Sequence, residues 1–163
     1  MQRSRPLRLR WLEAQFFSEK VDAHARLSAT TRVPIATGDH FYGRWEMQHF
    51  LQADAVRVVQ ADPEWCGGVS EFKKICTLAS IYGAPVIHYG HNLHAAVYVV
   101  AGESPSTCPL SEFLVLKMAL HHHFDANRLI PKEGRITLSD RPGFGMELSK
   151  AKIEECKLLS WSL

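Results

Sequence analysis

The chain has no CxxC pair and no other cysteine spacing that suits a metal; Cys66, Cys76, Cys108 and Cys156 are scattered along its 163 residues. That pattern argues against a metal-bound or disulfide-stapled framework. Reduced thiols in a cytoplasmic setting are the simplest expectation. No apolar run reaches the roughly 18 residues that a membrane span needs, and no signal-peptide core follows the start. The formal charge is only +2, so there is no electrostatic footprint for nucleic acid or an acidic membrane surface. The one basic stretch, MQRSRPLRLR, alternates with Leu7, Leu9 and Trp11 and reads as a strand lead-in. Neither nucleic acid nor a membrane is expected as a partner.

What is present is a repeated pattern. A hydrophobic content of 46% supports a real core, and the length suits one ordinary domain or a piece of a larger one. The run Val33-Pro34-Ile35-Ala36 ends at Asp39-His40 and is followed by a helical pattern from Gly43 to Gln52. The run Val56 to Val59 ends at Asp62 and Glu64, and Gly67-Gly68 leads into a helix from Val69 to Tyr82. A buried strand tipped by a carboxylate and followed by a helix is one βα unit.

Taken in order, Arg8–Leu12 reads as a strand delivering Glu13, and Asp22–Ala29 has helical spacing. After the two units above, strand Ala84–Ile87 delivers His88, Tyr89 and His91. Ala95–Ala101 suits a short helix, and Cys108–Val115 reads as a last strand carrying Glu112. Beyond it the chain is irregular, with an extended run at Arg135–Leu138 and a brief helix at Ser149–Ile153. The triplet His121-His122-His123 reads as a solvated helix end in preference to a metal site, because adjacent helical residues point in different directions.

The polar tips Glu13, Asp39, Asp62, Tyr89 and Glu112 are separated by 26, 23, 27 and 23 positions. A recurrence of that length fits a strand, a loop, a helix and a return. The predicted fold class is therefore α/β: a partial (β/α) TIM-type barrel of about five βα units, against a closed barrel's eight. An open five-stranded sheet is the alternative. Residues 1–148 are assigned to the barrel portion and 149–163 to a C-terminal tail.

At Pro34–His40, Asp62–Glu71 and VIHYGHNL (Val86 to Leu93), and in the closing RPGFGMEL, the sequence resembles the enolase superfamily, mandelate racemase subgroup. Within that subgroup it is most similar to the rhamnonate-type sugar-acid dehydratases. The resemblance covers roughly residues 8 to 155 and corresponds to the later strands of the barrel. It implies proton abstraction next to a carboxylate, Mg²⁺ stabilisation of the resulting charge and loss of a β-hydroxyl. A Lys or His base with Mg²⁺ is this superfamily's general solution, because the weakly acidic α-proton demands a hard cation with oxygen ligands.

By that resemblance Glu13 and Asp39 are the second and third metal ligands; the first is expected upstream of Met1. Asp39 stands where Glu is usual, which shortens the reach of its oxygens. Asp62 matches the acid that orients the base, and the base position falls on Tyr89, with His88 one residue away on the opposite strand face. His91 is a second substitute for the base or a pocket residue. His40 is expected to line the substrate pocket and to serve as acid for the leaving hydroxyl. Glu112 is expected to hydrogen-bond the substrate carboxylate, and Glu64 to line the rim. Each has a plain alternative: solvated loop acids for Glu13 and Asp39, an ordering loop residue for His40 and for His91, a strand-end cap for Glu112. Arg44 and Trp45 are expected to be structural.

The implied function is a Mg²⁺-dependent acid-sugar dehydratase, or the barrel portion of one, with an acid sugar as substrate and homo-oligomerisation left open. The alternative is a truncated or catalytically decayed homologue, inactive on its own. A third reading is a module that completes a barrel by pairing with another chain.

Overall fold

The structure is a computed structural model that describes residues 8–91 and 93–153. Its sheet begins where the backbone can pair. Leu12 N–H donates to Pro34 O and Ala14 N–H to Ala36 O, which sets β1 (Leu12–Glu13) parallel to β2 (Ile35–Thr37). Pro34 has no N–H to return to the residues before Leu12. The expected strand Arg8–Leu12 therefore contracts to its last residue plus Glu13. β2 pairs in parallel with β3 (Val58–Val59), giving the order β1-β2-β3.

Helices separate the strands, as parallel pairing requires. α1 (Val21–Thr30) follows β1, α2 (Arg44–Gln52) follows β2, and α3 (Val69–Ile81) follows β3. The helices form because their apolar residues fall on one side. Met47, Phe50 and Leu51 are buried on α2; Phe72, Ile75, Cys76 and Ala79 are buried on α3. These i, i+3, i+4 spacings give an inward stripe. Gly68 immediately precedes α3, and its φ of +93° is costly for any residue with a Cβ.

The expected count of five strands is not met among the described residues. Segment 84–87 joins β3 through one parallel bridge, Val59 to Val86. Cys108–Val115 forms no strand. Val86 N–H donates to Thr107 O at 2.7 Å, but Pro109 then offers no donor. Leu114 O instead accepts from Lys117 and Met118, opening a turn. Arg135–Leu138 is likewise no strand; Lys132 and Arg135 close a tight turn on each other. What stands is three consecutive parallel strands, each followed by a helix, with a fourth segment at the edge.

Alternation along the strands gives the sheet two faces. Val59, Ala61 and Val86 pack with Phe50, Phe72, Ile75 and Cys76 under the helices. Ala36, Val58 and Ile87 pack with Trp11 on the other face. α4 (Leu93–Gly102) is buried on both flanks: Ala96 and Val99 join the main core, while Leu93 and Val97 meet Met118, Ile136 and Leu138. A short α5 (Met118–His121) and a 3-10 turn (Lys150–Lys152) complete the elements among the described residues. At four residues, α5 is too short to leave a periodic signal.

Cys66, Cys76 and Cys108 are buried free thiols; Cys156 lies outside the described residues. Burial pushes the Cys66 thiol up to about 12, helped by the negative charges of Asp62 and Glu71. Its hydrogen bond with Cys108 and its burial push Cys76 up as well. Cys66 and Cys76 are expected to resist DTNB in the native chain and to react once urea exposes them, whereas Cys108, whose hydrogen bond with Cys76 holds it below its ordinary pKa, is shielded by burial alone. Fast native labelling at any of them, located by mass spectrometry, would contradict this packing.

No helix among the described residues is long and apolar enough to cross a membrane.

Candidate functional site

The face that carries Trp11, Ala36, Val58 and Ile87 ends in polar groups. Glu13 follows Trp11 by two residues, and the Trp11 indole N–H reaches its Oε2 at 3.4 Å. Asp62 and Tyr89 follow Val58 and Ile87 in phase, so alternation puts both on this same face. Asp39 lies two residues past β2, with its side chain only 17% exposed.

Glu112 reports how these acids are arranged. Burial, then the negative charges of Glu13 and Asp39, push its carboxyl up to about 7. Three carboxyl groups therefore share one field. Among the described residues the Glu112 Oε2 is buried without a hydrogen bond, and the Gly90 backbone and the Gln60 amide offset only part of the upward push. The Glu112 backbone is pressed against Gly90, where a Cβ would sit 2.9 Å from Glu112 O. Only glycine admits that approach. The donors are hard oxygens gathered with mutually repelling negative charge, a set that fits a divalent cation such as Mg²⁺.

Sequence reasoning overlooked Gln60. It is wholly buried between Val58 and Asp62, on their face by alternation, beside the Glu112 carboxyl, whose charged form its amide favours. A period-two count from Val58 would have found it.

The fourth segment separates His88 from Tyr89. Val59 N–H donates to Pro85 O, Ile87 N–H to Val59 O and Tyr89 N–H to Ala61 O. That ladder advances by two residues on both chains, so no bulge reverses the alternation. Tyr89 keeps the face of Ile87; His88 keeps that of Val86. His88 is wholly buried, with Nδ1 3.0 Å from Tyr89 O, and desolvation holds its pKa below the ordinary value.

The remaining candidates fall into two groups. His40 is exposed; its Nδ1 lies 3.6 Å from Asp39 Oδ2 and its ring stands edge-on to Trp65. Asp39 and His40 line a cleft of about 730 Å³ with Phe16, Phe17 and Phe41. His91 pairs directly with the Glu64 carboxylate, and both line a different cleft of about 610 Å³. Asp62 shapes the turn between them: its Oδ1 accepts the Glu64 N–H at 2.7 Å, and its carbonyl accepts Trp65 and Cys66. Arg44 binds Glu71 through both its backbone N–H (3.0 Å) and its guanidinium (2.6 Å), joining the starts of α2 and α3. Trp45 is exposed beneath the same guanidinium.

Comparison with known proteins matches this architecture. The sequence profile described as Enolase C-terminal domain-like matches residues 1–152. The D-galactarolactone cycloisomerase of Agrobacterium fabrum is 30% identical over 158 residues, 91% of this chain and 42% of that protein. The arabinonate dehydratase of Saccharolobus solfataricus is 33% identical over 162 residues, 94% of this chain and 43% of its own. The solved L-talarate/galactarate dehydratase of Salmonella typhimurium LT2 superposes with a TM-score of 0.71 at 27% identity, covering 88% of this chain and 34% of that one. The chain thus spans about two fifths of the length of the curated relatives it matches. With a profile match along nearly its whole length and a shared fold, this chain belongs to the Enolase C-terminal domain-like family of the enolase superfamily.

Proposed function

We propose that this chain forms the later strand-tip face of a Mg²⁺-dependent acid-sugar dehydratase. The observation that carries the reading is the common field of Glu13, Asp39 and Glu112. Relatives named as acid-sugar dehydratases and cycloisomerases support the substrate class. In this reading Glu13 and Asp39 hold the cation, which when bound supplies positive charge to a substrate carboxylate and so acidifies the adjacent C–H.

The chain's own residues do the rest. A Glu112 held near 7 is about half protonated at neutrality, and a substrate carboxylate beside it favours the protonated form, whose O–H donates a hydrogen bond to that carboxylate. His40, beside Asp39 and open to the cleft, delivers a proton to the leaving β-hydroxyl. Asp62 orients the base position occupied by Tyr89, and Glu64 with His91 forms the rim. Gln60 turns its amide to the same volume.

A second reading, a lineage member without turnover, is favoured by one observation. The regular ladder leaves Tyr89, a poor base with an ordinary pKa near 10, on the carboxylate face and His88 on the other. Two measurements separate the readings. Isothermal titration with Mg²⁺ is expected to show one weak site, roughly millimolar, lost in Glu13→Gln and in Asp39→Asn. Semicarbazide detection of a 2-keto product is expected to show no turnover of acid sugars by this chain alone. Turnover by the chain would overturn the second reading, and Mg²⁺ binding indifferent to both substitutions would overturn the first.

A further inference from the structure

Three side chains that the dehydratase reading leaves unused meet where the C-terminal arm packs on α4. His94 lies in the first turn of α4, His122 caps α5, and Asp125 follows three residues later. Their side chains are 1%, 10% and 6% exposed. The expected solvated helix end holds for His121 and His123, which are exposed. It fails for His122, because adjacent helical residues diverge and one of the three must turn inward.

The geometry is that of convergent ligands. His94 Nε2 lies 3.0 Å and His122 Nδ1 3.8 Å from Asp125 Oδ2, and the three ligand atoms lie within 4.8 Å of one another. Ligands about 2.0–2.1 Å from a tetrahedral ion stand roughly 3.3 Å apart, so the two shorter edges bracket that value and the third closes by at most about 1.5 Å. The two rings stack at 22° with centroids 4.8 Å apart.

Among the described residues the buried Asp125 Oδ2, for all its approach to His94 Nε2, makes no hydrogen bond of good geometry, and His94 Nδ1 makes none. Asp125 Oδ1, by contrast, is held by the Asn127 N–H at 2.8 Å and the Glu147 N–H at 3.4 Å. That fixes the carboxylate with its unused oxygen aimed at the imidazoles, the outer-shell arrangement of a ligating carboxylate. A cleft of about 610 Å³ reaches all three residues.

We propose that His94 Nε2, His122 Nδ1 and Asp125 Oδ2 form a binding site for one divalent ion of the zinc class. Two imidazoles and one carboxylate suit a borderline cation and not Mg²⁺. Water from the cleft fills the fourth position. The His94 Nε2–H contact with Asn127 O (3.2 Å) gives way as the proton moves to Nδ1, which has no other partner among the described residues. The ion staples the arm to α4: Asp125 bridges Leu148, and Ala126 N–H donates to Glu147 O.

The test uses the full chain, stripped with a chelator and titrated with Zn²⁺ alone in excess Mg²⁺. One Zn²⁺ per chain is expected, at micromolar affinity or tighter, and Co²⁺ in its place is expected to give the visible absorption of tetrahedral coordination. Asp125→Asn and His122→Gln are each expected to weaken binding at least tenfold. The double variant H121Q/H123Q and the double variant E13Q/D39N are expected to leave stoichiometry and affinity unchanged. Should Asp125→Asn fail to fold, the NMR imidazole signals of the unaltered chain decide: Zn²⁺ must shift His94 and His122. Binding abolished in H121Q/H123Q or in E13Q/D39N, unshifted His94 and His122 signals, or no stoichiometric Zn²⁺ would each overturn the site and leave a stacked His–Asp pair.

Discussion

Glu112→Gln is expected to remove a fall in stability that the unaltered chain shows as pH rises through the acid-to-neutral range. The Glu112 carboxyl moves from an ordinary 4.5 to about 7 in the folded chain, first through burial and then through Glu13 and Asp39. Between those values the unfolded chain has released the proton and the folded chain still holds it. Stability therefore falls with rising pH across that window and levels off above it. The group is only partly buried, so solvent screening reduces the effect to about 1–2 kcal/mol. Urea denaturation of both proteins at pH 4.5, 6 and 8 reads it as a difference, in which carboxylates remote from Glu112 cancel. Parallel curves would mean that the three carboxyl groups do not share a field.

The same group reads the cation. Saturating Mg²⁺ is expected to lower the Glu112 midpoint, because positive charge favours the carboxylate. In the double variant E13Q/D39N the midpoint should fall without Mg²⁺ and respond little to it. Burial, the largest cause, remains in that variant, so the value does not return fully to the ordinary range.

Phe50→Ala is expected to carry the largest cost to stability, about 3–5 kcal/mol. Phe50 is wholly buried on α2, with its ring 4.5 Å from Phe41 and 5.3 Å from His24. Truncation leaves a cavity between α1, α2 and the loop after β2. Phe41 follows Asp39 and His40 directly and lines their cleft, so loosening it is also expected to weaken Mg²⁺ binding. Phe17→Ala, at an 81% exposed position, is the control and should change stability by less than about 0.5 kcal/mol. Equal midpoints for the two variants in urea would show that this cluster is not the core.

The helices were legible because their signal is local. The expected spans Asp22–Ala29, Gly43–Gln52, Val69–Tyr82 and Ala95–Ala101 meet α1 to α4 within one or two residues. Strands were legible only as apolar runs ending in acid, since pairing depends on a partner far along the chain. Pro34 and Pro109 show the consequence: each removes a donor from the ladder and cuts short a run that reads as strand by composition. The buried inner residues Gln60 and His122 were missed for the same reason, because neither is apolar and burial is conferred by neighbours.

By itself the sequence determined the alternation of short strands and helices, and the acidic residues at the strand ends. Hydrophobic period and residue order are properties of the chain alone. Only the tertiary structure decided that Glu13, Asp39 and Glu112 share one field, that His88 and Tyr89 part company, and that His94, His122 and Asp125 converge. Those outcomes depend on segments as far as 99 positions apart, the Glu13–Glu112 separation, and packing and register set their distances where no local spacing encodes them.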